Sequence, residues 1–349
     1  MAVPTGTASM LDIQNEFGGT NPISLSEYYA AAAGIPASGT ISINDFRGKS
    51  AFNPSDRAVY GGGADGSAGG YQTKIEYFDI TTTGNAASFG NLTQERQQLG
   101  ATSDSSRVVW GGGSTDFYTF NTMDYVTIAT TGNAVDFGDL LSAGRGMTAT
   151  ASNGTRGVFA GYAAPAQNTI QYITIATTGN ATDFGDLTQN TFIKAGVSNG
   201  ARGVFGGGWV GGSPSNTMDY ITIATTGNAS YFGGLTASRW YACGMSSNAR
   251  GVFAGGGSGS VGAFNTMDYI TIATTGSATD FGDLTTPVQE GGGTSNGSRG
   301  VVIGGFTSPG YSNVIQYITI ATTGNSSDFG DLTEGTTAGA AASGFWGGN

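Results

Sequence analysis

The sequence predicts an all-β fold, a six-bladed β-propeller of four-stranded blades that follows a small, mostly helical amino-terminal module. The main observation is a repeat that occurs six times, with successive copies 47 to 49 residues apart. The repeated tyrosines are Tyr77, Tyr125, Tyr172, Tyr220, Tyr269 and Tyr317. The repeated phenylalanines are Phe89, Phe137, Phe184, Phe232, Phe281 and Phe329. A period of this length, carried by glycine and by β-branched and aromatic residues, is typical of propeller blades.

Each repeat predicts four short strands. In the fourth repeat these are Phe192 to Ser198, Arg202 to Gly206, Met218 to Thr225 and Ala229 to Leu235. The third strand carries large apolar side chains on both faces, so we expect neighbouring sheets to cover both of them. The glycines that follow the second strand supply the positive φ angles and the close backbone approach that a crowded propeller axis requires.

Two segments could supply the innermost strand of the first blade. One is Ser50 to Asp56, and the other is Thr336 to Ser343 near the carboxyl terminus. The second aligns with the first strands of other repeats and has no third or fourth strand after it. We favour this carboxyl-terminal strand, because joining the two ends of the chain removes an exposed sheet edge.

The composition argues against several classes of function. The 349 residues include 13 basic and 24 acidic side chains, and the net charge of −11 opposes nucleic-acid binding. There is one cysteine, Cys243, and no histidine. Zinc sites of the Cys/His kind and histidine-dependent nucleophilic catalysis are therefore excluded, and no cofactor is expected. Cys243 is interpreted as a small apolar residue of an inner strand.

Residues 1–50 lack the repeat, and the propeller is expected over residues 51–349. The first region predicts three short helices, one capped by Ser9 and ending before Gly18, one over Ser24 to Ala33, and one over Ser42 to Arg47. The amino terminus lacks the basic and apolar regions of a secretory signal. No segment has the roughly 18 consecutive apolar residues of a membrane helix, so no membrane insertion is expected.

Two phrases in the first region carry a family resemblance, GGTNPISLSEYY from Gly18 to Tyr29 and GTISINDF from Gly39 to Phe46. Together they resemble the amino-terminal module of virion structural proteins of tailed bacteriophages, found on tail-fibre and baseplate-associated chains. The repeats are similar to those of large structural proteins of phages that infect cyanobacteria. Their arrangement resembles kelch repeats, with phenylalanine in place of the kelch tryptophan, so the propeller is expected to be kelch-like.

The resemblance implies a location on a virion made in the host cytoplasm, and attachment to other virion proteins through residues 1–50. It also implies several copies on each particle, although no oligomerisation stripe is visible in the sequence.

The loops predict two different faces of the propeller disc. Turns between the first and second strands, and between the third and fourth, are nearly constant among the repeats; we call their side the constant face. The other two connections vary freely and form the variable face, which is our predicted binding surface. Aromatic side chains with polar neighbours suit glycan recognition. The candidates are Tyr71, Tyr118, Trp209, Trp240, Tyr241 and Tyr311. The alternative is that these rings only pack within their loops.

One arginine recurs in each repeat, which favours a structural role. The six are Arg57, Arg107, Arg156, Arg202, Arg250 and Arg299. Each is expected to pair with a repeated aspartate such as Asp186 or Asp283. The repeated aspartates lack the spacing of known calcium loops, so no metal site is predicted.

The leading functional hypothesis is a non-enzymatic virion protein that displays its propeller for attachment to a host-surface glycan. An architectural or decoration protein without a ligand is one alternative. A polysaccharide-degrading enzyme is another, since glycoside hydrolysis needs only two carboxylates. The acids outside the repeat pattern are Glu95, Glu290, Asp65 and Asp116.

Overall fold

A computed structural model gives the fold of the chain. It describes residues 2–3, 8–19, 24–28, 32, 35, 40–46, 52–67, 70–163, 165–259, 262–308 and 310–345. The chain divides into two compact units, Met1–Asn53 and Pro54–Asn349.

Among its described residues, the first unit contains one α-helix, α1 (Met10–Phe17), where the sequence predicts a helix. The Ser9 side chain accepts a hydrogen bond from the Asp12 backbone N–H, and the Asp12 carboxylate accepts one from the Ser9 N–H. This capping box satisfies two of the free N–H groups at the helix start. Gly18, with φ of 77°, ends the helix by leaving the right-handed region.

The two other predicted helices form, but with 3₁₀ rather than α-helical geometry. Within the described residues they are single 3₁₀ turns, Leu25–Tyr28 and Ile43–Phe46, and the second predicted helix lies partly outside those residues. Segments this short cannot offset the cost of nucleating an α-helix, so the tighter turn forms instead. Buried side chains hold the unit together: Val3, Ile13, Tyr28, Ile35 and Phe46.

The second unit follows the predicted order of strands. A 3₁₀ turn, Pro54–Asp56, precedes them. The first three repeats contain β1 (Arg57–Gly61), β2 (Lys74–Asp79), β3 (Ala87–Asn91), β4 (Gly100–Ser103), β5 (Arg107–Gly111), β6 (Thr122–Thr127), β7 (Val135–Asp139), β8 (Ala149–Ser152), β9 (Arg156–Tyr162), β10 (Gln167–Thr174) and β11 (Thr182–Thr191).

The remaining repeats contain β12 (Ala195–Ser198), β13 (Arg202–Gly206), β14 (Trp209–Val210), β15 (Ser213–Pro214), β16 (Thr217–Thr222), β17 (Ser230–Gly234), β18 (Cys243–Ser246), β19 (Arg250–Ala254), β20 (Thr266–Thr271), β21 (Thr279–Asp283), β22 (Gly292–Ser295), β23 (Arg299–Ile303), β24 (Phe306–Thr307), β25 (Gly310–Tyr311), β26 (Val314–Thr319), β27 (Ser327–Asp331) and β28 (Ala340–Ser343).

These strands form six antiparallel sheets of four strands, which are the blades of a propeller. Blade 1 has the order β28-β1-β2-β3, and blades 2 to 6 begin with β4, β8, β12, β18 and β22. The carboxyl-terminal strand therefore closes the ring as predicted, with Ala340 opposite Gly61 and Ser343 opposite Ala58. The short pairs β14-β15 and β24-β25 are small hairpins in the loops of blades 4 and 6.

The core lies between adjacent blades. Met218 is fully buried with Phe232 in a cluster that includes Phe253 and Ile270 of the next blade. The prediction that both faces of the third strand are covered is confirmed, because Ile221 joins a second cluster with Phe184 and Phe205. Cys243 lies in the innermost strand of blade 5, and burial raises the pKa of its thiol to about 12.

A closed circle of serine side chains joins the blades near the constant face. We call it the serine ring, and each member is the last residue of a first strand: Ser103, Ser152, Ser198, Ser246, Ser295 and Ser343. Each hydroxyl donates to the carbonyl oxygen of the serine in the preceding blade, at 2.6 to 3.2 Å. All six are fully buried, so every hydroxyl has the partner that burial demands.

The repeated Thr-Thr-Gly-Asn hairpin docks each blade onto the outer strand of the blade before it. Gly227 donates its N–H to the Phe184 carbonyl, and the Asn228 side chain accepts from the Asp186 N–H at 3.0 Å. A Cβ on Gly185 would lie 2.5 Å from the carbonyl oxygen of Gly227, so only glycine fits there. The hairpins thereby cover the outer strands, whose edges would otherwise be open to pairing.

The repeated arginines are structural, but the predicted pairing with aspartate is wrong. The Arg202 guanidinium lies 4.3 Å from the centre of the Tyr220 ring and donates to the carbonyls of Ile272 and Ala273 in the next blade. The other five arginines also stack on their tyrosines, and each donates to at least one carbonyl of the next blade. A planar, five-donor cation can stack on a ring and reach two carbonyls at once, which explains the choice of arginine.

Candidate functional site

A second closed circle surrounds the axis at the variable face. We call it the axial ring, and its members are Gln98, Gly146, Ile193, Tyr241, Glu290 and Ala338. The backbone N–H of each donates to the carbonyl of the member in the preceding blade, at 2.6 to 3.2 Å. Each member stands six residues after the leucine that comes three positions after the repeated phenylalanine: Leu92, Leu140, Leu187, Leu235, Leu284 and Leu332.

All six members have a positive φ, between 55° and 71°. This left-handed conformation turns the N–H and C=O groups around the axis, but it is unfavourable for residues other than glycine. Five of the six are not glycine, so the closed circle of hydrogen bonds holds them there. Backbone strain that the surroundings enforce is common at functional sites.

Two side chains of the axial ring meet across the axis. Gln98 and Tyr241 belong to blades 2 and 5, on opposite sides of a ring of six, and the Gln98 amide donates to the Tyr241 hydroxyl at 2.6 Å. A cavity beside them has a volume of about 20 Å³, and one among the first strands has about 40 Å³. Both are smaller than a monosaccharide, so neither of these two cavities can hold a sugar.

Glu290 is the one carboxylate among the described residues that line the smaller cavity. Its side chain accepts a hydrogen bond from the Thr337 hydroxyl at 3.2 Å. Burial raises the pKa of Glu290, and the hydrogen bond from Thr337 opposes this only in part. Burial also raises the pKa of Tyr241, with a further contribution from the charge of Glu290.

Three of the candidate aromatic residues form a continuous surface from a loop to the axis. We call it the aromatic strip: Trp209, Trp240 and Tyr241. The two indole rings lie 4.5 Å apart between centroids, and Trp240 lies 5.1 Å from the Tyr241 ring. All three side chains are half-buried. A strip of ring faces that remains partly open can stack on the apolar face of a sugar.

Backbone hydrogen bonds hold the strip in place. Trp209 donates its N–H to the Phe192 carbonyl at 2.9 Å, and Trp240 and Gly257 exchange two backbone hydrogen bonds at 3.0 Å. Trp209 can begin the β14-β15 hairpin because Gly207 and Gly208 adopt positive φ angles before it. The strip therefore stands on fixed backbone rather than on a free loop.

The other three candidates lie in different blades. Tyr118 is 68% exposed, beside Phe117, which is 87% exposed and is absent from the sequence-based set. Tyr71 is half-buried; its partial burial, followed by a hydrogen bond to Asp116, raises its pKa. Tyr311 is 42% exposed and packs edge-on against Phe306. In the described residues, only the aromatic strip brings several candidates together.

Buried polar residues support the connections that carry the axial ring. They precede the six repeated tyrosines: Glu76, Asp124, Gln171, Asp219, Asp268 and Gln316. Asp268 is paired with Arg239 at 3.2 Å, and Arg239 directly precedes Trp240. In blade 6 the position of Arg239 is taken by Val288, and the acid is replaced by Gln316. The charge and its partner therefore change together from blade to blade, which keeps buried charges compensated.

Phe192 and Gln98 belong to this region but are absent from the residues predicted from the sequence. Phe192 and Gln98 stand at fixed distances from the repeated leucines, so alignment of the repeats could have singled them out. Nothing in the residue types signals a left-handed backbone at five positions that lack glycine.

Among the described residues, no cluster of three or more Cys, Asp or Glu side chains could hold a metal ion. No helix in the described part of the chain is long and apolar enough to cross a membrane. The sequence matches no protein-family profile and no curated protein.

Proposed function

We propose that this chain is a structural protein of a tailed-phage virion whose propeller binds a host-surface glycan without degrading it. Residues 1–50 attach it to other virion proteins, and the variable face of the propeller binds the host surface. The resemblance of GGTNPISLSEYY and GTISINDF to phage amino-terminal modules supports the virion part of the proposal.

The aromatic strip is the observation that carries the glycan part. Trp240 contacts both Trp209 and Tyr241, and the three half-buried rings offer an apolar surface on fixed backbone. Aromatic ring faces pack against the C–H groups of a sugar, while nearby polar groups form hydrogen bonds with its hydroxyls. Gln98 and Glu290 stand beside the Tyr241 end of the strip and supply such groups.

The arrangement of the acids favours binding over hydrolysis. A glycosidase needs two carboxyl groups roughly 5 to 10 Å apart with a sugar between them. Glu290 is the one carboxylate among the described residues of the axial cavity. Asp65 accepts hydrogen bonds from Ser67 and Gln72 within its own loop, which is a structural use of that acid.

Binding of the full-length chain to a printed glycan array tests the proposal. We expect saturable binding to a subset of glycans without release of shortened products, and Trp240→Ala should lower that binding by at least about tenfold. The matched control is Tyr231→Ala, which removes a 62% exposed aromatic side chain from the outer strand β17. It should bind as the unchanged chain does.

Two outcomes would contradict the glycan proposal. Equal losses in the Trp240 and Tyr231 variants would mean that the strip is not the binding surface. Absence of binding to any glycan would favour the architectural role, and released oligosaccharides would favour an enzyme.

The virion part is tested separately by mass spectrometry and immunogold labelling of purified particles of the virus that encodes the chain. We expect the protein on the particle, with fusion of residues 1–50 to an unrelated protein directing that protein onto the particle as well. Absence of the chain from purified particles would refute this part and leave the glycan proposal standing.

A further inference from the structure

Arg145 is exceptional among the basic residues that the structure describes. The six repeated arginines stack on tyrosines, Arg96 and Arg239 are in buried ion pairs, Lys194 lies 3.7 Å from Asp219, and Lys74 is bound to Glu334. Arg145 is exposed, and within the described part of the chain its side chain forms no hydrogen bond, ion pair or ring contact. It is therefore the described cation that is free to bind a ligand.

The axial ring fixes where Arg145 lies. The residues that precede the ring members form an outer circle, and three consecutive ones are Arg145, Phe192 and Trp240. Each is bridged through its backbone to the loop of its own blade, at Ala163, Trp209 and Gly257. A Cβ on Gly146 would lie 3.3 Å from the Phe192 ring, so the backbone beside Arg145 lies next to that ring.

The positive charge of Arg145 distinguishes its position on a protein that is acidic as a whole. The net charge of −11 means that an anion meets repulsion over most of the protein. Glu95 belongs to the connection between blades 1 and 2 and Asp116 to the loop of blade 2, and among the described residues neither forms an ion pair with Arg145. The charge of Arg145 opposes the rise that burial and Glu290 cause in the pKa of the Tyr241 hydroxyl.

We infer that Arg145 makes the aromatic strip selective for an anionic sugar, one that carries a carboxylate or a sulfate or phosphate ester. The rings hold the apolar face of the sugar, and the guanidinium donates two parallel hydrogen bonds to the anionic group. This inference rests on the proposed glycan binding and adds the chemical class of the ligand and the residue that selects it.

The test compares the full-length chain with Arg145→Gln and Arg145→Lys on paired probes that differ only in charge. Polygalacturonate and its methyl ester form one pair, and dextran sulfate and dextran form the other. An array of neutral, uronate-containing, sulfated and phosphorylated glycans extends the comparison. We expect acidic glycans to dominate the array, and Arg145→Gln to weaken their binding roughly ten- to a hundredfold while binding to neutral glycans stays the same. Arg145→Lys should bind acidic glycans more weakly than the unchanged chain and more tightly than Arg145→Gln, because it keeps the charge and loses the paired donors.

The outcomes separate the two proposals. If the unchanged chain binds neutral glycans equally well, or if Arg145→Gln has no effect on the acidic ones, the inference about Arg145 is refuted and glycan binding stands. If the unchanged chain binds no glycan, both are refuted. A preference confined to carboxylate or to sulfate probes identifies which anion the site takes. Thermal unfolding of Arg145→Gln should match that of the unchanged chain, since the exposed Arg145 side chain forms no hydrogen bond, ion pair or ring contact within the described part of the chain.

Discussion

The serine ring and the axial ring close the same six-bladed disc at its two ends, but they do so with different chemistry. The serine ring uses a side-chain hydroxyl as donor, and the same residue stands at all six positions. The axial ring uses only backbone groups, and six different residues occupy it. A ring that is bonded through side chains requires the same residue at every position, whereas a ring that is bonded through the backbone leaves its side chains free for other roles.

This difference extends outward on each face. On the constant face, every blade repeats the stacked arginine and the Thr-Thr-Gly-Asn or Thr-Thr-Gly-Ser hairpin. On the variable face, the partner of the buried polar residue in the third strand differs among blades: it is an arginine in two blades, Arg96 and Arg239, and Lys194 in another. The constant face is therefore a scaffold, and individual surface chemistry is confined to the other end of the disc.

The largest test of this comparison concerns the blade-specific ion pair beneath the aromatic strip. Arg239→Val leaves the fully buried Asp268 without its cation, which we expect to lower the free energy of unfolding by about 3–5 kcal/mol. Urea denaturation followed by fluorescence measures the change.

Blade 6 provides the control for that experiment, because it carries Val288 and Gln316 at the same two positions. The double change Arg239→Val with Asp268→Gln should recover most of the lost stability. A double variant as unstable as the single one would mean that the blades are not interchangeable in this respect.

The next effect concerns the repeated arginines of the constant face. Arg202→Lys keeps the charge but loses the flat contact with Tyr220 and one of two carbonyl bonds, so we expect a loss of about 1–2 kcal/mol. Arg145→Lys on the variable face is the matched control and should change stability by less than about 0.5 kcal/mol. Equal effects of the two changes on the denaturation midpoint would contradict the distinction between the faces.

Loss of a single member of the serine ring should lower the free energy of unfolding less than the changes above. Ser198→Ala removes one buried hydrogen bond to the Ser152 carbonyl, at a cost of about 1 kcal/mol. Ser213→Ala, an exposed serine in the β15 strand, is the control and should be neutral. Hydrogen exchange of the first-strand amides would reveal whether the loss stays in one blade; protection lost in all six would indicate that the ring acts as a unit.

The smallest effect expected is a dependence of stability on pH through Glu290. In the folded chain burial raises its pKa above the ordinary value of 4.5, so the folded state keeps this proton after the unfolded chain has released it. The free energy of unfolding therefore falls as pH rises from about 4.5 to the raised pKa, and the contribution is fully present only below that window.

Glu290→Gln cannot lose a proton and should lack this decline. Denaturation midpoints measured between about pH 4 and pH 8 should diverge from those of the unchanged chain as pH rises, with the variant the more stable. Parallel curves would mean that Glu290 ionises normally in the folded protein.

Most of the scaffold could be predicted from the sequence, since a residue that recurs in every blade makes the same contact in every blade. The four strands of each blade, closure by β28, and the place of Cys243 all follow from spacing and alternation. The failures are also instructive. The partner of Arg202 was expected to be an aspartate, but a cation finds several acceptors at similar distances from its own strand, and only the next blade determines which it reaches.

The sequence by itself determined the number of blades, the order of strands and the division into a constant and a variable face, because a period of 47 to 49 residues and the position of the turns are readable from residue types. Only the tertiary structure decided the axial ring, the union of Trp209 with Trp240, and the free position of Arg145 beside them. Those features depend on residues tens of positions apart being brought together by closure of the disc, and on left-handed backbone that hydrogen bonds between blades enforce against the preference of the residues themselves.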